Sequence, residues 1–221
     1  MADLTQAAAQ PTDIGATLRG VTAACAELIT GADCADVLII TEPDRYESLA
    51  PTSDLPPALD EAQRQFGEGP CISAAIGETV VRCDDLREDA RWPRFAKAAV
   101  AVGIHSVLSF QLLTHDDRVS ALNIFGVEPN CFGPDDETVC AMFATHAALA
   151  LIADDKKGQF ESALASRDLI GQAKGRIMER FDVDAVRAFE LLKTLSQTSN
   201  TRLAEVAAQV VSRGTDPRDR R

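Results

Sequence analysis

Arg167, Gly171, Lys174 and Met178 stand at i, i+4, i+7 and i+11, a spacing that places all four on one face of a helix. The two cations there suit phosphate, and the glycine lets a base or a partner backbone approach closely. The same pattern also makes a helix–helix seam, with Gly171 and Gly175 thinning the helix and the cations forming its solvated edge. Both readings stand open. Farther along, Ser196-Gln197-Thr198-Ser199-Asn200-Thr201-Arg202 is a dense polar run. Such side chains reach base edges, and a helix N-terminus attracts phosphate. They are also the residue types that cap helices and close turns.

The remaining reactive side chains argue against covalent chemistry. Six cysteines, at 25, 34, 71, 83, 131 and 140, include no C-x-x-C, and three histidines are too few and too scattered for a zinc site. The cysteines read as small buried hydrophobes, and no metal is expected. Cys71 and Cys83 are the thiols to weigh for redox work, but Glu68, Asp84 and Asp85 beside them push a thiol pKa upward. His105, next to Ser106, is a conceivable haem ligand and reads more simply as a packed or solvated histidine.

Two regions must position these residues. Eight of the ten prolines fall between Pro43 and Pro134, and none follows until Pro217, so 135–216 reads as helices. Charge divides in the same way. Residues 1–153 hold 9 basic and 23 acidic residues (−14), and 154–221 hold 13 and 11 (+2), which together give the net −12. The acidic part repels phosphate backbones and anionic membranes, so any nucleic-acid contact falls to the C-terminal third. No apolar run approaches the ~18 residues of a membrane span, and the first basic residue is Arg19, too late for a secretory n-region. A cytoplasmic protein is expected.

Residues 13–153 read as one α+β domain. Asp13–Thr30 is helical and Val37–Thr41 a short strand; Ser106–Leu113 and Arg118–Val127 are two strands around a Thr114–Asp117 hairpin loop. Gly133-Pro134-Asp135 starts a helix whose first turn is acidic. Its apolar stripe weakens at 154–159, read as a joint in a nearly continuous helix. Residues 154–213 then give three helical patterns. The first, from about Phe160 to Phe181, carries Ala163, Ser166, Ile170, Ala173, Ile177 and Phe181 on one face. The second has Asp184 as N-cap and Ala185, Phe189, Leu192 and Leu195 as its stripe. The third starts near Asn200, carries Leu203, Val206, Ala207, Val210 and Val211, and ends at Gly214.

These residues resemble a known family. Ser166 through Gly175, then Met178-Glu179-Arg180, Ala188-Phe189-Glu190-Leu191-Leu192, Leu195-Ser196, Asn200, Leu203 and Val206-Ala207 are similar in order and spacing to the ANTAR domain of transcription antitermination regulators. Gly67-Glu68-Gly69-Pro70-Cys71, Arg91-Trp92-Pro93-Arg94-Phe95, Ser106-Val107-Leu108-Ser109 and Ala121-Leu122-Asn123 resemble the GAF domains joined to ANTAR domains in actinobacterial proteins. The resemblance implies a GAF-like antiparallel sheet with flanking helices, followed by an all-α three-helix ANTAR unit. It further implies a dimeric RNA-binding antitermination regulator that grips paired hairpin loops of a nascent transcript, under a sensor domain that takes an unidentified small molecule. On that resemblance Arg167, Gly171, Lys174, Arg176, Arg180, Ser196, Asn200 and Arg202 are the candidate RNA contacts, and no catalysis or cofactor is expected.

Other readings rest on other residues. Phe132-Gly133-Pro134-Asp135-Asp136-Glu137 resembles half of a cyclic-nucleotide GAF signature, but the Asn-Lys half has no counterpart, since Asn123 is followed by Ile124. Gly69-Pro70-Cys71 and Cys83 loosely resemble GAF-fold methionine sulfoxide reductases. A GAF-based adaptor with a tail for protein or DNA is the third alternative. Against RNA stands a modest charge: 160–213 holds 8 basic and 7 acidic residues, +1. Phe160, Phe181 and Phe189 are the aromatics of that stretch, and their spacing assigns them to cores, so no base-stacking platform is expected.

Overall fold

The computed structural model describes residues 13–42, 45–115 and 118–213. Its contacts separate into two compact units, divided between Asp154 and Asp155. Asp116 and Asp117 of the expected hairpin loop, and Gly214 with the basic tail, lie outside the described residues.

The first unit begins with α1 (Ile14–Leu28), capped by the Asp13 carboxylate, which accepts from the Gly15 N–H at 3.1 Å. Then come β1 (Cys34–Glu42), β2 (Arg45–Leu49), α2 (Leu55–Phe66), α3 (Pro70–Ile76), β3 (Val80–Cys83), α4 (Pro93–Ala101), β4 (Ser106–His115) and β5 (Arg118–Gly126). The five strands form one antiparallel sheet in the order β2-β1-β5-β4-β3. The sequence pattern shows β1, β4 and β5, which sit inside the sheet. It does not show β2 and β3, which are its edges. An edge strand is partnered on one side only, and Arg45-Tyr46-Glu47-Ser48-Leu49 alternates between exposed and half-buried with no apolar face to signal a strand.

Both sheet faces are covered. On one, Leu38, Val107, Ala121 and Phe125 pack against Leu59, Ala74, Phe95 and Ala99 from α2, α3 and α4. On the other, Val37, Ile39, Leu108, Phe110, Leu122 and Ile124 meet Leu18, Val21 and Cys25 of α1 and Cys140, Ala144, Ala147 and Leu151 of a long helix, α5 (Pro134–Phe181). This explains the strict alternation along β5, where odd residues serve one core and even residues the other. The two sequence segments around Gly69 and Trp92 are tied together. Glu68 Oε1 accepts from the Arg94 and Phe95 N–H groups at 2.6 and 3.1 Å, and the Trp92 indole donates to Ser73 Oγ at 3.1 Å.

Helix α5 runs without interruption through 154–159. It contains an 18-residue window of mean hydropathy 1.3, of which 22% is buried, within a helix that packs its inner face on the sheet and also carries the first part of the C-terminal unit. In that unit α6 (Ala185–Ser199) and α7 (Leu203–Arg213) complete the helical set. Asp184 caps α6 as expected, its carboxylate accepting from the Arg187 N–H at 2.8 Å. The core is small: Ala173, Ile177, Ala188, Leu192, Val206 and Ala207, flanked by Leu169, Ile170, Val183, Leu191, Leu203, Val210 and Val211.

Several sequence expectations are corrected here. The third helix starts at Leu203 and not near Asn200; Asn200 is the left-handed C-cap of α6, at φ 49° and ψ 40°. Phe160, Phe181, Phe189 and Leu195, assigned to cores or stripes, are exposed. Ala163 is exposed and Ser166 half-buried. The end of α5 and two short helices enclose one narrow seam, and small Ala173, Ala188 and Ala207 let them close so tightly that Phe181, Phe189 and Leu195 stay outside.

Candidate RNA interface and the interior of the sensor unit

The eight candidate residues divide among three places. Arg167, Gly171 and Lys174 share one face of α5, at 100° per residue, as their spacing predicts. Arg167 and Gly171 are exposed and Lys174 half-buried. A Cβ on Gly171 or Gly175 meets nothing within 4 Å, so no element of the C-terminal unit packs on these glycines and their surface is open. Arg176 and Arg180 point from a different side of the same helix. Arg176 is half-buried, and its Nη1 is enclosed with no acceptor.

Ser196, Asn200 and Arg202 lie at the α6–α7 corner. Much of the polar run is spent on that corner itself. Ser196 Oγ donates to the Thr201 carbonyl at 2.6 Å, Ser199 Oγ to the Leu195 carbonyl at 2.7 Å, and Thr201 Oγ1 to the Ser199 carbonyl at 3.1 Å. The capping reading therefore holds for the hydroxyls of Ser196, Ser199 and Thr201. Gln197, Thr198, Asn200 and Arg202 remain exposed and make no side-chain hydrogen bond among the described residues.

Ion pairing differs between the units in degree. In the sensor-like unit, Arg19, Arg64, Arg82, Arg87 and Arg91 each pair with a nearby carboxylate, at 2.5 to 3.3 Å. Arg94 and Lys97 of the same unit have no ion pair among the described residues, Arg94 lying over the Phe66 ring. In the C-terminal unit, Arg167, Lys174, Arg176, Arg180, Lys193 and Arg202 have no ion pair among the described residues; Arg187, held by Glu190 at 2.9 Å, and Lys157, 4.0 Å from Glu161, do. A count of +1 conceals these uncommitted donors. Lys193 is one that sequence reasoning passed over, because it sits in no motif.

In the first unit the alternative chemistries meet physical obstacles. Cys71 is fully buried, and burial with the nearby Asp60 and Asp36 carboxylates pushes its thiol well up. Cys83 is pushed up to about 12 by burial and by Asp89. Neither is a ready thiolate. His105 donates from Nδ1 to the Val127 carbonyl at 2.7 Å. Asp136, part of the nucleotide-like segment, accepts from the Gly133 N–H at 2.8 Å and so serves the start of α5.

That interior also holds a polar cluster that sequence reading missed. Asp36, Asn123 and Ser109 form a row across β1, β5 and β4, on the face covered by α2 to α4, and Ser48 of β2 joins it diagonally from opposite Leu38. Over it lie Asp60 and Gln63 of α2 and Cys71 of α3. Asn123 Nδ2 donates to Asp36 Oδ1 at 3.0 Å, and Ser48 Oγ donates to Asp36 Oδ2. Its signal was present: Asp36 is the one acid within Ala35–Ile40, an otherwise apolar strand.

Residues 11–152 match the GAF domain family, and residues 158–211 match the ANTAR domain family. No curated protein sequence matches the chain. Solved structures similar to it include the photoproduct state of GAF3 from Slr1393 of Synechocystis sp. PCC6803, at 10% identity and TM-score 0.53, covering 66% of this chain and 98% of that one. The GAF domain of a phosphoenolpyruvate-protein phosphotransferase from Coxiella burnetii has 20% identity and TM-score 0.52, covering 70% and 92%. A free methionine-R-sulfoxide reductase from Neisseria meningitidis, solved with its substrate, has 17% identity and TM-score 0.52, covering 67% and 83%. At such identities the likeness shows the fold alone.

Proposed function

The chain belongs to the GAF–ANTAR family of signal-sensing regulators, and from that premise we propose that it is a cytoplasmic, dimeric antitermination regulator whose ANTAR unit binds paired hairpin loops of nascent RNA. The observation that carries the reading is the set of cations on the ANTAR unit, Arg167, Lys174, Arg180, Lys193 and Arg202, that have no ion pair among the described residues, in a unit that is not acidic overall. Exposed cations without internal partners are available to phosphate oxygens. Arg167, Gly171 and Lys174 form one side of the α5 contact and Arg180 with Arg176 another; Asn200 and Arg202 add the α6–α7 corner, which Ser196 holds.

Loop bases carry the sequence information, because A-form grooves hide base edges. One small unit with few cations grips weakly. Two units joined in a dimer raise the effective concentration of the second contact without any new interaction. The face of α5 opposite its sheet-packed residues supplies a dimer seam. Val139, Met142, His146, Leu149 and Ala153 repeat at 3-4-3-4 spacing, as in two-stranded coiled coils, and Val139, Met142 and Leu149 are exposed.

A mobility-shift series tests the reading, comparing a two-hairpin RNA with one whose loop bases are exchanged. Selective retention of the first is expected. Equal binding to both, or to neither, removes the specific-reader claim.

A further inference from the structure

Two carboxyl groups share the interior of the GAF unit without a cation. Asp36 is fully buried and Asp60 is 3% exposed. The groups that face them are Ser48 from β2, Asn123 from β5, Gln63 from α2, and the thiol of Cys71 from α3, with Cys34 next along β1. Among the described residues no Lys, Arg or His bonds to either carboxyl. Two buried anions side by side without compensation are strongly disfavoured.

The hydrogen bonds show where a proton resolves this. Both Asp36 oxygens already accept, from Asn123 and from Ser48. Asp60 Oδ1 accepts from Gln63 Nε2 at 3.2 Å, while Asp60 Oδ2 has no donor. An ionised carboxylate can only accept, so two of them cannot bond to each other. A proton on Asp60 Oδ2 turns the orphaned acceptor into a donor to Asp36. The consequences reach beyond the pair. The same Gln63 side chain accepts from the Cys71 N–H at 3.0 Å, joining α2 to the start of α3. Gly69, at φ 153°, lies so close that a Cβ there would stand 2.2 Å from Gln63 Oε1.

We propose that Asp36 and Asp60 are a proton-loaded latch: one proton held between them fixes α2 and the start of α3 to the sheet, and its loss releases both. Burial raises both carboxyls; the neighbouring Asp36 charge raises Asp60 further, while hydrogen bonds from Asp60, Ser48 and Asn123 hold Asp36 back. The folded chain therefore binds more protons than the unfolded chain above the ordinary carboxylate range. The latch is fully made at low pH, and its contribution is lost as pH rises through the raised folded-state value. The GAF unit thereby senses proton loss, independently of what the ANTAR unit binds.

Amide hydrogen exchange on the full chain, corrected for intrinsic rates, tests it from the ordinary carboxylate range up into alkaline pH. Protection of 55–76 should fall with rising pH while that of α1, on the other sheet face, stays constant. Asp60→Asn supplies a permanent N–H donor to Asp36, and its protection should not change with pH. Equal pH dependence in wild type and variant overturns the latch, as does loosening of α1 in step with α2. If Asp60→Asn does not fold, side-chain carboxyl 13C shifts of the wild-type protein decide. One member of the pair must titrate well above the ordinary carboxylate range, and ordinary titration of both overturns the proposal.

Discussion

Replacing Lys174 by Gln tests the phosphate contact through its dependence on salt. Lys174 has no ion pair among the described residues, so the substitution removes a charge without orphaning a carboxylate. Each phosphate neutralised contributes roughly 0.7 to 0.9 to the slope of log K against log salt. A dimer brings two copies of the contact, so the variant's slope should be shallower by about 1.4 to 1.8. Between about 50 and 200 mM salt, that change narrows the wild-type advantage about 7- to 12-fold. Fluorescence anisotropy with a labelled two-hairpin RNA at four salt concentrations measures the difference. Arg87→Gln is the internal control, because Arg87 is already held by Asp85 at 2.5 Å in the GAF unit and should leave the slope unchanged. Parallel slopes for wild type and Lys174→Gln would falsify the contact. A change as large in Arg87→Gln would show that overall charge is being read rather than a site.

Three further outcomes are expected. Gly171→Ala adds a methyl into open space within the chain, so thermal unfolding should rise by the equivalent of up to about 1 kcal/mol while RNA affinity falls; unchanged affinity would show that nothing approaches the glycine. Leu192→Ala empties a fully buried position in a core of few residues and should cost about 2–5 kcal/mol, read as selective proteolysis of the ANTAR unit with the GAF unit intact. Leu149→Glu places a charge on the exposed outer face of α5 and should shift sedimentation from dimer to monomer without altering GAF-unit stability; a persistent dimer would place the seam elsewhere.

The sequence by itself determined whatever depends on local periodicity and on neighbours in the chain. Helical spacing gave the ANTAR core through Ala173, Ile177, Leu192, Val206 and Ala207 but not Ala188, and Asp184 announced its helix because a cap acts across three residues. The interior strands were legible because burial on both faces leaves them as apolar runs. Only the tertiary structure decided which apolar residues the bundle has room to cover, so Phe181 and Phe189 lie outside a core that their spacing alone would grant them. It alone showed that the corner hydroxyls are consumed by the backbone while the cations nearby are not. Above all, it alone brought Asp36 and Asp60 together, 24 positions apart on a strand and a helix. The energy of a charge depends on the solvent and partners around it, and those are assembled by the fold rather than written beside the residue.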